Sequence, residues 1–319
     1  MTTSASTSAR EKAPARTRPL GVRPTSAGRS RLTYSPIGLL YVAPFFVLFA
    51  LFLVWPTVYG LYLSFTDRNL AGASSPDLIG LANYAEAFAD PLMWRTLGNT
   101  LWFTVLTTIP LVVISLAVAM LVNMRLKGQW LWRLSVFMPY LLASTVVSQV
   151  WVWLFNPDLG AFNTVLGFFG ITGPTWLQDP NTAMFGVVVA TVWWTLGFNF
   201  LLYLAALQNI PDSVLEAASV DGANGWRKTV SIVLPLMNRT TVLVIALQVL
   251  ASVKVFDQIY QMTGGGPENS TRSILQLVYD MGFSNYRLGY ASAISYIFFA
   301  IVVILSLVQL RLFSRKESR

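Results

Sequence analysis

The chain has no cysteine and no histidine. That removes thiolate nucleophiles, disulfides, histidine-centred triads and histidine metal sites, and no metal ligand set is predicted. Hydrogen bonding, stacking and charge remain. Three apolar runs carry polar side chains four residues apart: Ser144 and Ser148; Thr191, Thr195 and Asn199; Gln248 and Ser252. A spacing of four puts each set on one helix face. Trp194, Phe198 and Tyr203 lie close by in sequence. Hydroxyl and amide groups would bond sugar hydroxyls, and aromatic faces would stack on the apolar side of the ring. Small polar residues also serve helix packing, so each Ser and Thr has a second reading. Asn199 and Gln248 are the stronger members, because a side-chain amide is more costly to bury. Lys254 and Asp257 are the charged residues well inside an apolar run. Three apart on a helix, they are predicted to pair near an outer gate, with an ion relay as the alternative.

These residues sit in a chain that is 55% hydrophobic and 11% charged, against about 25% charged in a soluble domain. Apolar runs near 37–65, 99–123, 134–155, 183–207, 239–262 and 289–313 approach or exceed the length of about 20 residues that spans hydrocarbon as a helix. Backbone groups left unpaired in lipid are too costly for anything but helices or closed barrels, and the alternating segments of a barrel are missing. The expected fold is therefore all-α, a polytopic membrane protein with six transmembrane helices. Pro44, Pro56 and Pro110 predict kinks or breaks. Residues 1–35 are rich in Ser, Thr, Ala, Pro and Arg and read as a disordered basic tail. The membrane domain is predicted over 36–315, with a short tail at 316–319.

Lys and Arg orient the spans. With the N-terminus inside, the cytosol receives the seven of the tail, Arg125, Lys127, Arg133, Arg227, Lys228, Arg239, Arg311, Arg315, Lys316 and Arg319. The outside receives Arg68, Arg95, Arg272 and Arg287. Seventeen against four places both termini in the cytosol under the positive-inside rule. The loops near 66–98, 156–182 and 263–288 then face outward and form at most a small docking rim. A basic tail can bind nucleic acid, but topology explains it more simply, and no nucleic-acid partner is predicted.

The segment 211–235, between spans four and five, is polar and broken by glycine. Ser213 and Glu216 are spaced as a capping box for a short helix, which is predicted to end near Gly222. Trp226, Val230 and Val233 recur at helical spacing, and Pro235 is predicted to close this second limb before the next span. The expected product is a cytosolic helix–turn–helix.

Glu216-Ala217-Ala218, then Asp221, Gly222 and Trp226, then Ile232, Leu234 and Pro235 fall into the register of the coupling loop of binding-protein-dependent ABC importer permeases. Val255-Phe-Asp-Gln-Ile-Tyr-Gln-Met-Thr-Gly-Gly-Gly-Pro267 is similar to the end of the fifth core span of maltose-type carbohydrate permeases. Asn83-Tyr84 and Asn99-Thr100 fit the same group. The resemblance covers roughly residues 36–315 and is to a minimal six-span form, without extra N-terminal spans or a large outer domain. It implies a bacterial or archaeal cell membrane and a carbohydrate or polyol cargo. The implied partners are a second related permease, two cytosolic ATPase subunits and an extracytoplasmic solute-binding protein. The chain itself would do no covalent chemistry and bind no cofactor. Gly264-Gly-Gly-Pro267 lacks the Gly-Lys-Ser/Thr end of a phosphate loop and reads as a tight outer turn, so ATP and Mg would belong to the ATPase subunits. The rival reading is an ion-coupled secondary transporter built on Lys254 and Asp257.

Overall fold

The computed structural model describes residues 36–72, 76–124 and 127–317. The tail over 1–35 and residues 318–319 lie outside the described residues. Residues up to Leu53 form one unit and Val54 onward another. The first unit holds α1 (Pro36–Phe49), which passes through Pro44 without a break and runs into a π-helical turn at Ala50–Val54. The second holds α2 (Trp55–Ser64), α3 (Ala82–Ala89), α4 (Pro91–Asn123), α5 (Gln129–Phe137), α6 (Ser144–Leu154) and α7 (Ala161–Phe168). It continues with α8 (Ala183–Gln208), α9 (Asp212–Val220), α10 (Gly225–Lys228), α11 (Leu234–Val253), α12 (Asp257–Met262), α13 (Ile274–Tyr279) and α14 (Leu288–Glu317).

The protein is all-α. Among the described residues, five helices are long and apolar enough to cross a membrane: Leu40–Ser64, Pro91–Asn123, Ala183–Gln208, Gly225–Val253 and Leu288–Arg311. The pair Gln129–Leu141 and Ser144–Leu154, bent by 98°, makes a sixth when taken together as one span. The third run is thus not one straight helix. Pro139 cannot donate to the ladder, so α5 tightens into a 3₁₀ turn at Met138–Leu141. The chain then passes through extended Leu142 and Ala143 before α6 begins. The fifth run, predicted over 239–262, ends as α11 at Val253 and resumes as α12 after Phe256. Pro110, by contrast, does not break α4.

The core has three apolar clusters. Phe103, Val147, Trp151, Phe155, Val187 and Ile259 join α4, α6, α8 and α12. Ala119, Phe200, Tyr203, Met237 and Val244 join the other ends of α4, α8 and α11. Met93, Leu97, Ile274, Leu277, Tyr290 and Ile294 tie α13 and α14 to α4. Three buried threonines on α4 satisfy themselves: the Thr100, Thr104 and Thr107 hydroxyls donate to the carbonyls four residues earlier at 2.8 Å. A hydroxyl is thereby tolerated where water is absent.

The loops on the face opposite segment 211–235 are stapled by the two pairs that marked the resemblance. Asn83 donates to the carbonyls of Ser64 (3.0 Å) and Thr66 (2.8 Å), and the Tyr84 and Ser64 hydroxyls lie 2.7 Å apart. Asn99 donates to the carbonyls of Asn269 (2.8 Å) and Arg272 (3.1 Å), and Thr100 accepts from the Ile274 amide. The glycine run is a tight turn, with Gly264 and Gly265 at φ +61° and +85°. A Cβ on Gly265 would sit 2.8 Å from Gln276 Oε1, so that position needs glycine twice over.

Candidate translocation cavity and coupling knob

The two broken spans meet in space. A cavity of about 340 Å³ opens among α4, α8, the end of α11 and the two breaks. Its lining includes Thr191, Trp194, Thr195, Phe198, Asn199, Gln248, Ser252, Lys254 and Asp257, which the sequence singled out. It also includes Phe103, Tyr140, Phe256 and Gln258, which it did not. Tyr140 stacks on Phe198 at 5.6 Å, giving the cavity an aromatic wall. The Trp194 indole donates to the Leu142 carbonyl at 3.1 Å, satisfying a backbone acceptor that the break in span three set free.

The floor of the cavity is a hydrogen-bond chain. Asn199 Nδ2 donates to Gln248 Oε1 (2.9 Å), and Gln248 Nε2 donates to Ser252 Oγ (2.9 Å). The Ser252 and Thr107 hydroxyls lie 2.9 Å apart. The Thr107 hydrogen goes to the Phe103 carbonyl, so Ser252 donates to Thr107 and every donor points the same way. At the head of the chain the Asn199 carboxamide oxygen is buried and has no donor among the described residues. An acceptor in this position is costly until something supplies a hydrogen. Thr107 escaped the sequence reading because it belongs to a threonine-rich face of α4, where packing is the ordinary explanation.

Two of the predicted pathway residues lie apart from the cavity lining. Ser148 is fully buried, and its hydroxyl has no partner. Ser144 reaches Asp257 Oδ2 at 3.4 Å instead. The predicted Lys254–Asp257 ion pair is not formed: neither residue is in an ion pair among the described residues. The spacing argument needed one continuous helix, and Lys254 ends α11 while Asp257 begins α12. Gln261 also donates to Thr145 Oγ1 at 3.0 Å, so α12 is tied to the start of α6.

At the other end of α8, the segment 211–235 forms a knob. The predicted capping box is absent: α9 starts at Asp212 behind Pro211, and no side chain caps it. Asp212 instead places a carboxylate in the first turn, where the helix dipole favours it. The far end closes as a Schellman turn, with the Ala223 amide on the Ala218 carbonyl (2.9 Å) and the Gly222 amide on the Ser219 carbonyl (3.1 Å). Gly222 holds the left-handed position at φ +76°. Asn224 then caps α10 by accepting from the Arg227 amide at 2.8 Å. Lys228 crosses the bend to donate to the Ser219 hydroxyl at 2.5 Å.

The second limb is not a separate helix closed by Pro235. α10, a π turn at Thr229–Val233 and α11 run on as one helix, Gly225–Val253. Pro235 has no amide hydrogen and its ring crowds the preceding turn; the wider π turn absorbs both problems. Of the predicted coupling residues only Ala218 is buried. Glu216, Ala217, Asp221, Gly222, Leu234 and Pro235 are exposed and Ile232 is half-buried, while Trp226 is 77% exposed. Glu216 lines an open cavity of about 820 Å³ together with Asn123, Gln129, Arg133, Asp212 and Lys228. The contribution of α5 to this cavity has no sequence signal, since it depends on how α5 folds back.

Residues 100–318 match the family of binding-protein-dependent transport system inner membrane components. The chain is 34% identical over 281 residues to the sulfoquinovosyl glycerol transport system permease protein of Agrobacterium fabrum, covering 88% of this chain and 91% of that one. It is 36% identical over 278 residues to the sn-glycerol-3-phosphate transport system permease protein of the same organism, covering 87% and 94%. Its fold is similar to that of a chain from a bacterial ABC transporter involved in the import of the acidic polysaccharide alginate, with a TM-score of 0.76, 22% identity, and 88% and 96% of the two chains covered.

Proposed function

The chain belongs to the family of binding-protein-dependent transport system inner membrane components, and on that premise we propose that it forms half of a translocation path for a carbohydrate or related polyol. It is an integral inner-membrane protein and a permease subunit of an ABC importer, not itself the ATPase. The observation that carries the cargo reading is the donorless Asn199 oxygen at the head of the hydrogen-bond chain, set beside the Tyr140–Phe198 wall. A hydroxyl of the cargo would donate to that oxygen while an apolar ring face lies on the aromatics. The relatives named above handle polyhydroxylated solutes that bear an acid group, and the cavity has both Lys254 and Asp257 in its lining. Its volume of about 340 Å³ is at the lower end of the ligand-pocket range.

In this reading an extracytoplasmic binding protein delivers the cargo, and a second, related permease completes the path. Two ATPase subunits, holding ATP and Mg, seat the knob around Glu216 and Gly222. Their closure on ATP favours one of two arrangements of the permease pair through differential binding. The Lys and Arg count supports placing the knob and both termini in the cytosol. Broken helices lining a midplane site are a recurring transporter solution, and the breaks at Leu142–Ala143 and Lys254–Phe256 fit it.

The test is ATP-driven uptake in proteoliposomes holding the full complex, across a panel of sugars and glycerol derivatives. Asn199→Leu should weaken the apparent affinity for the transported solute about 5- to 150-fold, matching about 1–3 kcal/mol for one unmatched buried hydrogen bond, with ATPase subunits still bound. Unchanged uptake by that variant would sink the cavity assignment. Uptake by this chain alone, driven by an ion gradient, would sink the importer reading.

A further inference from the structure

The three loops on the face opposite the knob differ in charge. Segment 66–98 carries Asp67, Arg68, Asp77, Glu86, Asp90 and Arg95, and 263–288 carries Glu268, Arg272, Asp280 and Arg287. Between Asp158 and Asp179 there is no charged residue at all. At the centre of that uncharged stretch lies α7.

One side of α7 is locked down. Phe162 packs on Trp151 (5.8 Å), Phe155 (5.1 Å) and Trp176 (5.9 Å). Asn163 donates to the Pro157 and Pro174 carbonyls and accepts from the Trp176 indole at 2.6 Å. Trp151 and Phe155 lie at the end of span three, and Trp176 lies shortly before span four begins at Ala183. α7 is therefore fixed beside the ends of two candidate spans. The rest of its apolar surface is open: Val165 is 52% exposed, Phe168 83% and Phe169 75%, with Leu159 and Ile171 flanking them at 75% and 54%.

We infer that α7 is an interfacial helix whose open face, Val165, Phe168 and Phe169 with Leu159 and Ile171, is seated in the lipid headgroup–acyl boundary beside the path. An amphipathic helix with aromatic and aliphatic residues on one face takes that position when held at the right depth. The anchoring selects lipid over a soluble partner: Phe162 and Asn163 hold α7 against Trp151, Phe155 and Trp176 beside the ends of two candidate spans, and no charged residue lies on α7 itself. A binding protein that docks and leaves is steered by charge, which the neighbouring loops carry along their length and this one carries at its ends, in Asp158 and Asp179. A patch of this kind left in water between visits would also be an association hazard. The leaflet rests on the orientation proposed above; the lipid contact does not.

The cysteine-free chain allows a direct test in the assembled importer, reconstituted in vesicles of phosphatidylethanolamine and phosphatidylglycerol. Phe168→Cys and Phe169→Cys, each carrying a nitroxide, should collide more with oxygen than with a water-soluble nickel chelate. Gln178→Cys, in the same loop, should show the reverse. Should either Phe variant fail to assemble, Val165→Cys and Ile171→Cys carry the same test. A nickel-dominated pattern at these positions would overturn the proposal. So would shielding from both reagents that appears only when binding protein is added, which would assign the face to that partner.

Discussion

Gly222 offers the sharpest test of the knob, because the strain there can be separated from contact. Its φ of +76° lies in the left-handed region, and a Cβ built on it meets nothing within 4 Å. Within the chain, any penalty from substitution is therefore backbone conformation alone. An L-residue in that region costs about 1–2 kcal/mol, while asparagine tolerates it better by bonding locally. Loss of the turn frees the Ser219 and Ala218 carbonyls and undoes the reversal from α9 into α10. If the folded knob is what the ATPase subunit grips, apparent affinity falls in proportion to the folded fraction. A shift of 1–2 kcal/mol is a factor of about 5–30, so that is the ceiling for Gly222→Ala. The measurement is binding of purified ATPase subunits to the permease pair in nanodiscs, with membrane insertion checked in parallel. The expected order of affinity is Gly, then Asn, then Ala, then Val. Parity of Ala with Asn, or no loss with Val, would refute the reasoning, since neither fits a penalty set by left-handed geometry.

Two further predictions follow from packing and charge. A Cβ on Gly197 would sit 2.8 Å from both Phe137 Cα and the Val136 carbonyl, so Gly197→Ala should lower the melting temperature of the assembled complex; an unchanged melt would mean that α5 yields without cost. Burial raises the Asp280 carboxyl above its ordinary value, against the pull of Arg272. Stability from this group is thus present at low pH and lost as pH rises through the raised pKa. In melts between pH 4 and 7, the wild type should lose ground to Asp280→Asn as pH rises, and a gain would contradict the sign.

Much of the fold is legible in the sequence because hydropathy measures the term that dominates in lipid. The span at 183–207 is observed at Ala183–Gln208, and the one at 289–313 lies within Leu288–Glu317. What hydropathy cannot see is backbone hydrogen bonding. Averaged over a window, 134–155 and 239–262 look like single spans, yet both break. The signals were there in Pro139 and in two charges three apart, but a charge pair on a helix and a charge at each edge of a break have the same spacing. The capping box failed for a related reason: Ser213 and Glu216 have the right separation, but Pro211 had already set the entry. Pro235 misled because a proline after a polar loop ordinarily closes a helix, and a π turn leaves no trace in composition. Asn83 and Asn99 read only as family marks, since their carbonyl partners lie 17 residues or more away in the chain.

The continuity of Gly225–Val253 changes what the knob can do. Two helices joined at Pro235 would need a stiff joint to pass a push from Trp226 to the cavity. One helix of 29 residues needs none, and at 1.5 Å per residue it spans about 43 Å. Gln248 and Ser252 ride on its far end, so displacement of the knob acts directly on the chain from Asn199 to Thr107. The joint lies just beyond, at Lys254–Phe256, where α12 is held to α6 through Asp257 and Gln261. Under the proposed function, closure of the ATPase subunits acts on the cavity through α11 while α12 stays tied to α6. The Asn199–Gln248 bond joins α8 to α11, the two helices that flank the knob, so a shift of one against the other acts on it first.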